Sequence, residues 1–210
     1  MNLDDLTFFN PWGEIDRRLN RLPHWEQPGA VYFVTWRLAD SLPREVLDRF
    51  FEDREGWLRN HPEPRSEEVE AAYDRLFAGT IDEWLDAGHG ECLLRVPENA
   101  GLVVESLQFF EGERSVMFSF VVMPNHVHVL FALNPSCTLG SLVQSWKRHS
   151  AREINRRLGR TGSLWQKDYF DRLVRDRDHF VRCVRYLRRN AVSAGGRALL
   201  FESDWAKAVD

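Results

Sequence analysis

Hydrophobic positions recur along this chain in two rhythms, period two and period near 3.6, and each switch between them marks an element. Gly29 to Ala39 reads GAVYFVTWRLA, a β-branched and aromatic run that predicts an interior strand. Pro43 then opens an amphipathic helix, with Val46, Leu47, Phe50, Phe51 and Leu58 near helical spacing. His61-Pro62-Glu63-Pro64 breaks it. Ser66 to about Ala87 predicts a second helix, with Val69, Tyr73, Leu76 and Phe77 on one face and Gly88-His89-Gly90 at its end. Pro97 suits the first turn of a third, carried on by Val103, Val104, Leu107 and Phe110 and closed by Gly112. Ser115 to Met123 (SVMFSFVVM) and His126 to Leu133 (HVHVLFAL) read as strands joined at the turn Pro124-Asn125. Thr138 is placed to cap a long helix whose buried stripe is Leu139, Leu142, Val143, Trp146 and Ile154. After the turn Arg160-Thr161-Gly162, Ser163 to Arg175 reads as a strand, and Asp176 caps a last helix running to about Ala191.

With the stretch 60–90 set aside, the order is strand, helix, strand, strand, helix, strand, helix. That order predicts an α+β fold, a ferredoxin-like or RRM-like βαββαβ antiparallel sheet with helices on its faces and a helical insertion. Residues 1–28, with Pro11, Pro23, Pro28 and the aromatic anchors Trp12 and Trp25, form a lead-in. Residues 29–195 form one domain with its insertion at about 60–95, and 196–210 form a C-terminal tail.

Composition narrows the function classes. At 43% apolar, with eight Trp and fourteen Phe, the 210 residues fill a core and exclude whole-chain disorder. No apolar run approaches the roughly 18 residues of a membrane span. Met1 to Asn20 is acidic and polar, so no signal peptide is expected. Cys92, Cys137 and Cys183 are scattered without a CxxC spacing, which fits a reducing cytoplasm and speaks against a zinc ribbon or a disulfide scaffold. No GxxxxGK[ST] loop is present, so no nucleotide cofactor is expected. The net charge of −4 conceals an asymmetry: Gln144 to Asn190 holds 14 Lys/Arg against 5 Asp/Glu. Either a basic surface faces a polyanion or two helices present solvated faces.

Two segments carry candidate chemistry. Residues two apart on a strand share a face, so His126 and His128 project together while Val127, Val129 and Phe131 face the other way. Such a pair is a platform for a divalent metal, or else two hydrogen-bonded histidines, and the spacing alone leaves both open. On the last helix, Phe180, Val184, Leu187 and Ala191 make the core face. Tyr186 and Asn190, four apart, share its shoulder with His179 and Cys183, and Arg182, Arg185 and Arg189 fall on the far side. The plainer readings are a half-buried aromatic for Tyr186 and a helix C-cap before SAGG for Asn190.

VVMPNHVHVLF resembles the HUH segment (U, a bulky apolar residue) of single-tyrosine transposases of the IS200-like type, which act through single-stranded DNA. GSLWQKDYFDRLVRD followed by VRYLRRNAVSAG is similar to the subgroup called REP-associated tyrosine transposases. The resemblance runs from about Ser115 to Gly195 and is weaker at Tyr32 to Arg37. It implies a metal-dependent single-stranded DNA endonuclease and strand transferase that cleaves and rejoins DNA at hairpin, REP-like elements. Tyr186 then corresponds to the nucleophile, forming a 5′-phosphotyrosine bond, and Asn190 to the third ligand, beside His126 and His128, of Mg²⁺ or Mn²⁺. Ala191 stands where the subgroup often has Pro, which lets the helix run on. The subgroup further implies a monomer acting in cis, with the dimer of compact relatives as the alternative.

Tyr169 is the rival nucleophile. Lys147, Arg148, His149 and Arg152 are candidate phosphate contacts. Trp165, Gln166 and Tyr169 are candidate DNA contacts, the two aromatics stacking bases, with core packing the alternative for Trp165. Two other readings remain: a non-catalytic DNA-binding module, and a zinc hydrolase on the HxH pair that would need His89, Glu91 or His149 as a further ligand.

Overall fold

Val31 to Arg37 is buried at every position, as a strand covered on both faces must be. The computed structural model describes residues 3–19, 23–62, 66–73, 76–77, 84–85 and 87–210. Its elements, in chain order, begin with β1 (Asp16–Leu19), β2 (Pro23–Glu26), β3 (Val31–Arg37), α1 (Arg44–Asn60), α2 (Glu67–Tyr73) and α3 (Pro97–Gln108). There follow β4 (Ser115–Val122), β5 (His126–Leu133), α4 (Leu139–Leu158), β6 (Phe170–Leu173), α5 (Arg177–Ser193), β7 (Leu199–Glu202) and α6 (Asp204–Lys207). β1 and β2 pair with each other, and the other five strands form an antiparallel sheet in the order β6-β3-β5-β4-β7. The expected α+β class and antiparallel sheet are what is found.

Strand alternation divides the core. Tyr32, Val34 and Trp36 of β3, with Val127, Val129 and Phe131 of β5, pack against Val103 and Leu107 of α3 and the whole expected stripe of α4. Val31, Phe33, Val121 and Leu130 point the other way, onto Phe180, Val184 and Leu187 of α5. A third cluster joins Leu47 and Phe50 of α1 to Phe77 and Leu85 and reaches Phe170 on β6. The helices stop where their caps say: the Thr138 side chain accepts from Ser141 N, and that of Asp176 from His179 N at 2.6 Å. α5 runs through Ala191 to Ser193, as the missing proline allows.

Two expectations need correction. The strand expected from Ser163 is regular only at Phe170–Leu173. Lys147 Nζ donates to the carbonyls of Gln166, Lys167 and Asp168 at 2.8, 2.9 and 3.3 Å. Three successive carbonyls turned to one ammonium cannot alternate as a strand requires. In the stretch expected as a second helix, Glu67–Tyr73 and residues 76–77 and 84–85 are helical, but Leu76, expected on the buried face, is 52% exposed; residues 74–75, 78–83 and 86 lie outside the described residues. The C-terminal segment is ordered into the fold: β7 pairs with β4, and Ala206 and Val209 join the α5 cluster. Arg188 of α5 ties this segment down, with Nε to Glu202 at 2.8 Å, Nη1 to Val209 O at 2.7 Å and Nη2 to Ala206 O at 3.0 Å.

Candidate functional site

Both histidines of β5 are fully buried. In the ladder His126 lies opposite Arg37 and His128 opposite Thr35 of β3, so all four side chains share the α5 face. The two Nε2 atoms converge to 2.9 Å, with the rings near perpendicular at 82°. Each Nδ1 is held from behind. The Asn125 amide donates to the carbonyls of Leu85 and His89, both at 3.1 Å, which turns its Oδ1 toward His126 Nδ1 at 2.7 Å. That oxygen can only accept, so Nδ1 of His126 carries the hydrogen and its Nε2 presents a lone pair. His128 Nδ1 meets Thr35 Oγ1 at 2.7 Å. Burial pushes the His126 pKa down to about 3. Burial, with the charges of His126 and Arg172, puts His128 well below its usual range. Both imidazoles are therefore neutral at physiological pH, the form that ligates metals.

α5 supplies the other half. Its core residues Phe180, Val184 and Leu187 fix its rotation and leave Tyr186 half-buried at the edge. The Tyr186 hydroxyl lies 3.4 Å from His128 Nε2, its ring edge-on to His128 and to Phe33. One turn on, Asn190 is buried. Its Nδ2 donates to Tyr186 O at 3.0 Å, while its Oδ1 is buried with no hydrogen-bond donor. An unmatched amide oxygen is costly in a protein interior unless a ligand takes it up. Two neutral imidazole nitrogens and an unmatched oxygen make a donor set that suits a divalent cation. Among the described residues no three His, Cys, Asp or Glu side chains cluster as a metal site. His89 and Glu91 are exposed, and Glu91 pairs with Arg160.

The remaining candidates are not brought to this face. α4 packs on the opposite side of the sheet, where Arg148, His149 and Arg152 are exposed. Lys147 is folded inward on its three carbonyls, which removes it from the surface role expected of it. Trp165 is a core residue: 4% exposed, edge-on to Trp36, with its Nε1 donating to Ser150 Oγ at 3.1 Å. Tyr169 is stacked on His24 with ring centroids 4.4 Å apart and packs in the same α3–α4 core, away from the histidine pair. Neither aromatic presents a free face for a base. Gln166 donates its backbone N–H to Arg37 O and lines a small cavity with Thr35 and Arg37.

Sequence reasoning missed four participants. Asn125 read as a turn residue, yet it sets the His126 tautomer. Thr35 and Arg37 were within reach of the alternation in VYFVTWR once the β3–β5 register is known. His24, between Asp168 and Asp171, joins segments too distant in sequence to leave a signal.

The family model described as "Transposase IS200 like" matches residues 107–190. Over that segment the chain is similar to the IS200-like transposases. The matched segment includes His126, His128, Tyr186 and Asn190. No curated protein matches the sequence. Among solved structures, the chain is similar to a REP-associated tyrosine transposase bound to a REP hairpin. The identity there is 13% and the TM-score 0.45, over 85% of this chain and 76% of that one. It is also similar to a protein of Deinococcus radiodurans R1 provisionally assigned as a transposase, at 16% identity and a TM-score of 0.31, over 76% of this chain and 89% of that one. Among the described residues no helix is long and apolar enough to cross a membrane.

Proposed function

We propose that this protein cleaves and rejoins single-stranded DNA at hairpin elements, with Tyr186 as the nucleophile. The observation that carries the reading is the Tyr186 hydroxyl at 3.4 Å from a buried, neutral histidine pair, with the unmatched Asn190 oxygen one turn away. His126, His128 and Asn190 would hold Mg²⁺ or Mn²⁺. When bound, such an ion polarises a phosphodiester and stabilises the leaving oxygen.

The chain's own residues do the rest. Asn125 and Thr35 hold the rings so that both Nε2 edges face one point. Phe33 and His128 orient the Tyr186 ring. Tyr186 Oη attacks phosphorus, the bond to the 3′-oxygen breaks, and the proton lost by the phenol is matched by the one gained at the 3′-hydroxyl. The product is a 5′-phosphotyrosine ester, and the same steps in reverse rejoin the strand. Arg148, His149 and Arg152, across the sheet, would hold backbone phosphates remote from the cut. β7, α6 and Arg188 fix the tyrosine helix to its own sheet, which supports action in cis as a monomer.

The test is a labelled single-stranded hairpin oligonucleotide incubated with Mn²⁺. A covalent protein–DNA adduct is expected, abolished by EDTA and by Tyr186→Phe and kept in Tyr169→Phe. Cleavage without an adduct would instead indicate a hydrolase. Binding without cleavage would indicate a DNA-binding module.

A further inference from the structure

Among the described residues, one buried charge on the histidine face has no counter-charge. Arg37 ends β3 directly across from His126 and is 3% exposed. Its side-chain bond runs from Nη1 to Ser41 Oγ at 3.1 Å, and no described carboxylate pairs with it. Burial lowers its pKa to about 10, so it stays protonated at neutral pH. A buried guanidinium with no counter-charge is unfavourable for folding, and the usual remedy is an anion with paired oxygens.

A cavity beside Arg37 is walled by Thr35, Phe51, Gln166, Asp168 and Phe170. Thr35, on the wall of this cavity, is also the residue that bonds His128 Nδ1. Asp168 would repel an anion, but its carboxylate is engaged by His24 Nε2 at 3.0 Å. The ammonium of Lys147, gathered on the 166–168 carbonyls, adds a second positive charge nearby.

We propose that Arg37 is a positioning residue whose guanidinium binds a phosphodiester of the single strand next to the one held at the histidine pair. The inference rests on the reading that single-stranded DNA is the substrate. Two oxygens of one phosphate match the guanidinium fork. Holding the neighbouring phosphate fixes the strand's path and brings the scissile one into line with Tyr186.

The experiment uses the full chain carrying Tyr186→Phe, so that binding is read without cleavage. Affinity for a single-stranded oligonucleotide in Mn²⁺ is measured by fluorescence anisotropy across a salt series, in this parent and with Arg37→Gln or Arg37→Lys added. Arg37→Gln is expected to weaken binding about tenfold or more and to reduce the slope of log K against log [salt] by about 0.7, the share of one phosphate on a single strand. Arg37→Lys should keep the slope and lose less affinity. Oligonucleotides with one neutral methylphosphonate linkage, moved along the strand, give the second arm. One linkage should cost the parent about tenfold and cost Arg37→Gln nothing further. An unchanged slope and an unchanged linkage profile in Arg37→Gln would overturn the proposal and leave Arg37 a structural residue. If Arg37→Gln does not fold, Arg37→Lys decides: the cost at that one linkage must shrink while the others hold, and an unchanged profile overturns the proposal. A parent that binds no single-stranded DNA at any salt refutes the functional reading and this inference together. A parent that binds while the Arg37 variants match it refutes the inference alone.

Discussion

Asn190→Leu separates a ligand from a structural amide. The Asn190 oxygen is buried with no donor, a defect of about 1–3 kcal/mol. Its Nδ2 bond to Tyr186 O returns little, because that carbonyl already serves the helix ladder. Leucine has a similar volume and no orphan acceptor. Without metal, Asn190→Leu should therefore be as stable as the native chain, or more stable by about 1 kcal/mol, a rise in Tm of about 2–4 °C at this size. With Mn²⁺ the order should reverse. A cation at ten times its Kd stabilises the native chain by about 1.4 kcal/mol, or roughly 3–5 °C. In Asn190→Leu, with one of three ligands gone, the midpoint of that response should move to about tenfold higher Mn²⁺ or beyond. His126→Ala should abolish it. Thermal unfolding followed across a Mn²⁺ series reads all three. Equal Mn²⁺ midpoints in native and Asn190→Leu protein would refute the reasoning. So would a metal-free loss above about 2 kcal/mol, since the amide would then be satisfied by the fold.

Two further predictions concern the frame around the site. Burial alone would lower the pKa of His24, but its bonds to Asp168 and Asp171 outweigh this and raise it from 6.5 to about 9. With the folded value above the unfolded one, the stabilisation is complete below pH 6.5 and is lost as pH rises through about 9. The shift corresponds to about 3 kcal/mol, reduced by the cost of burying Asp171, whose own pKa burial raises. Urea melts of native and His24→Gln protein should differ most near pH 6 and least near pH 9.5, and a pH-independent gap would sink the idea. Arg188→Ala removes three bonds to the C-terminal segment and should cost about 2–4 kcal/mol, with faster proteolysis within 199–210. Unchanged melting and digestion would mean that the segment is held by its packing alone.

What the sequence made legible was whatever repeats with a period. Leu139, Leu142, Val143, Trp146 and Ile154 are all buried as the helical stripe demands, and HVHVLF puts its two histidines on one face as period two demands. The caps Thr138 and Asp176 were legible because their chemistry is local. What stayed hidden depends on pairing across the chain. β7 is four residues, LLFE, too short to show alternation, and it is a strand because β4 offers an edge. The 163–169 segment has a strand's composition, yet one lysine from α4 gathers its carbonyls. Lys147 and Trp165 illustrate the same limit. A lysine and a tryptophan in a basic region suit a nucleic-acid surface as readily as a buried brace, and burial, which decides, is a property of the fold.

The two faces of the sheet resolve their polar groups differently. On the α3–α4 face the unmatched buried donors include the indole N–H groups of Trp36 and Trp146, neutral atoms on large rings whose packing outweighs their loss. On the α5 face the buried Asn190 amide oxygen is unmatched, two neutral imidazoles converge at 2.9 Å, and the Arg37 guanidinium has no described counter-charge. The first two kinds call for a cation and the third for an anion. Hydrophobic residues at these positions would have made a more stable core, so the pattern is not one that folding alone would favour. A divalent ion at the histidine pair and Asn190 with one phosphodiester on it, and the next phosphodiester on Arg37, would satisfy all of them at once and would link these residues as parts of one binding surface.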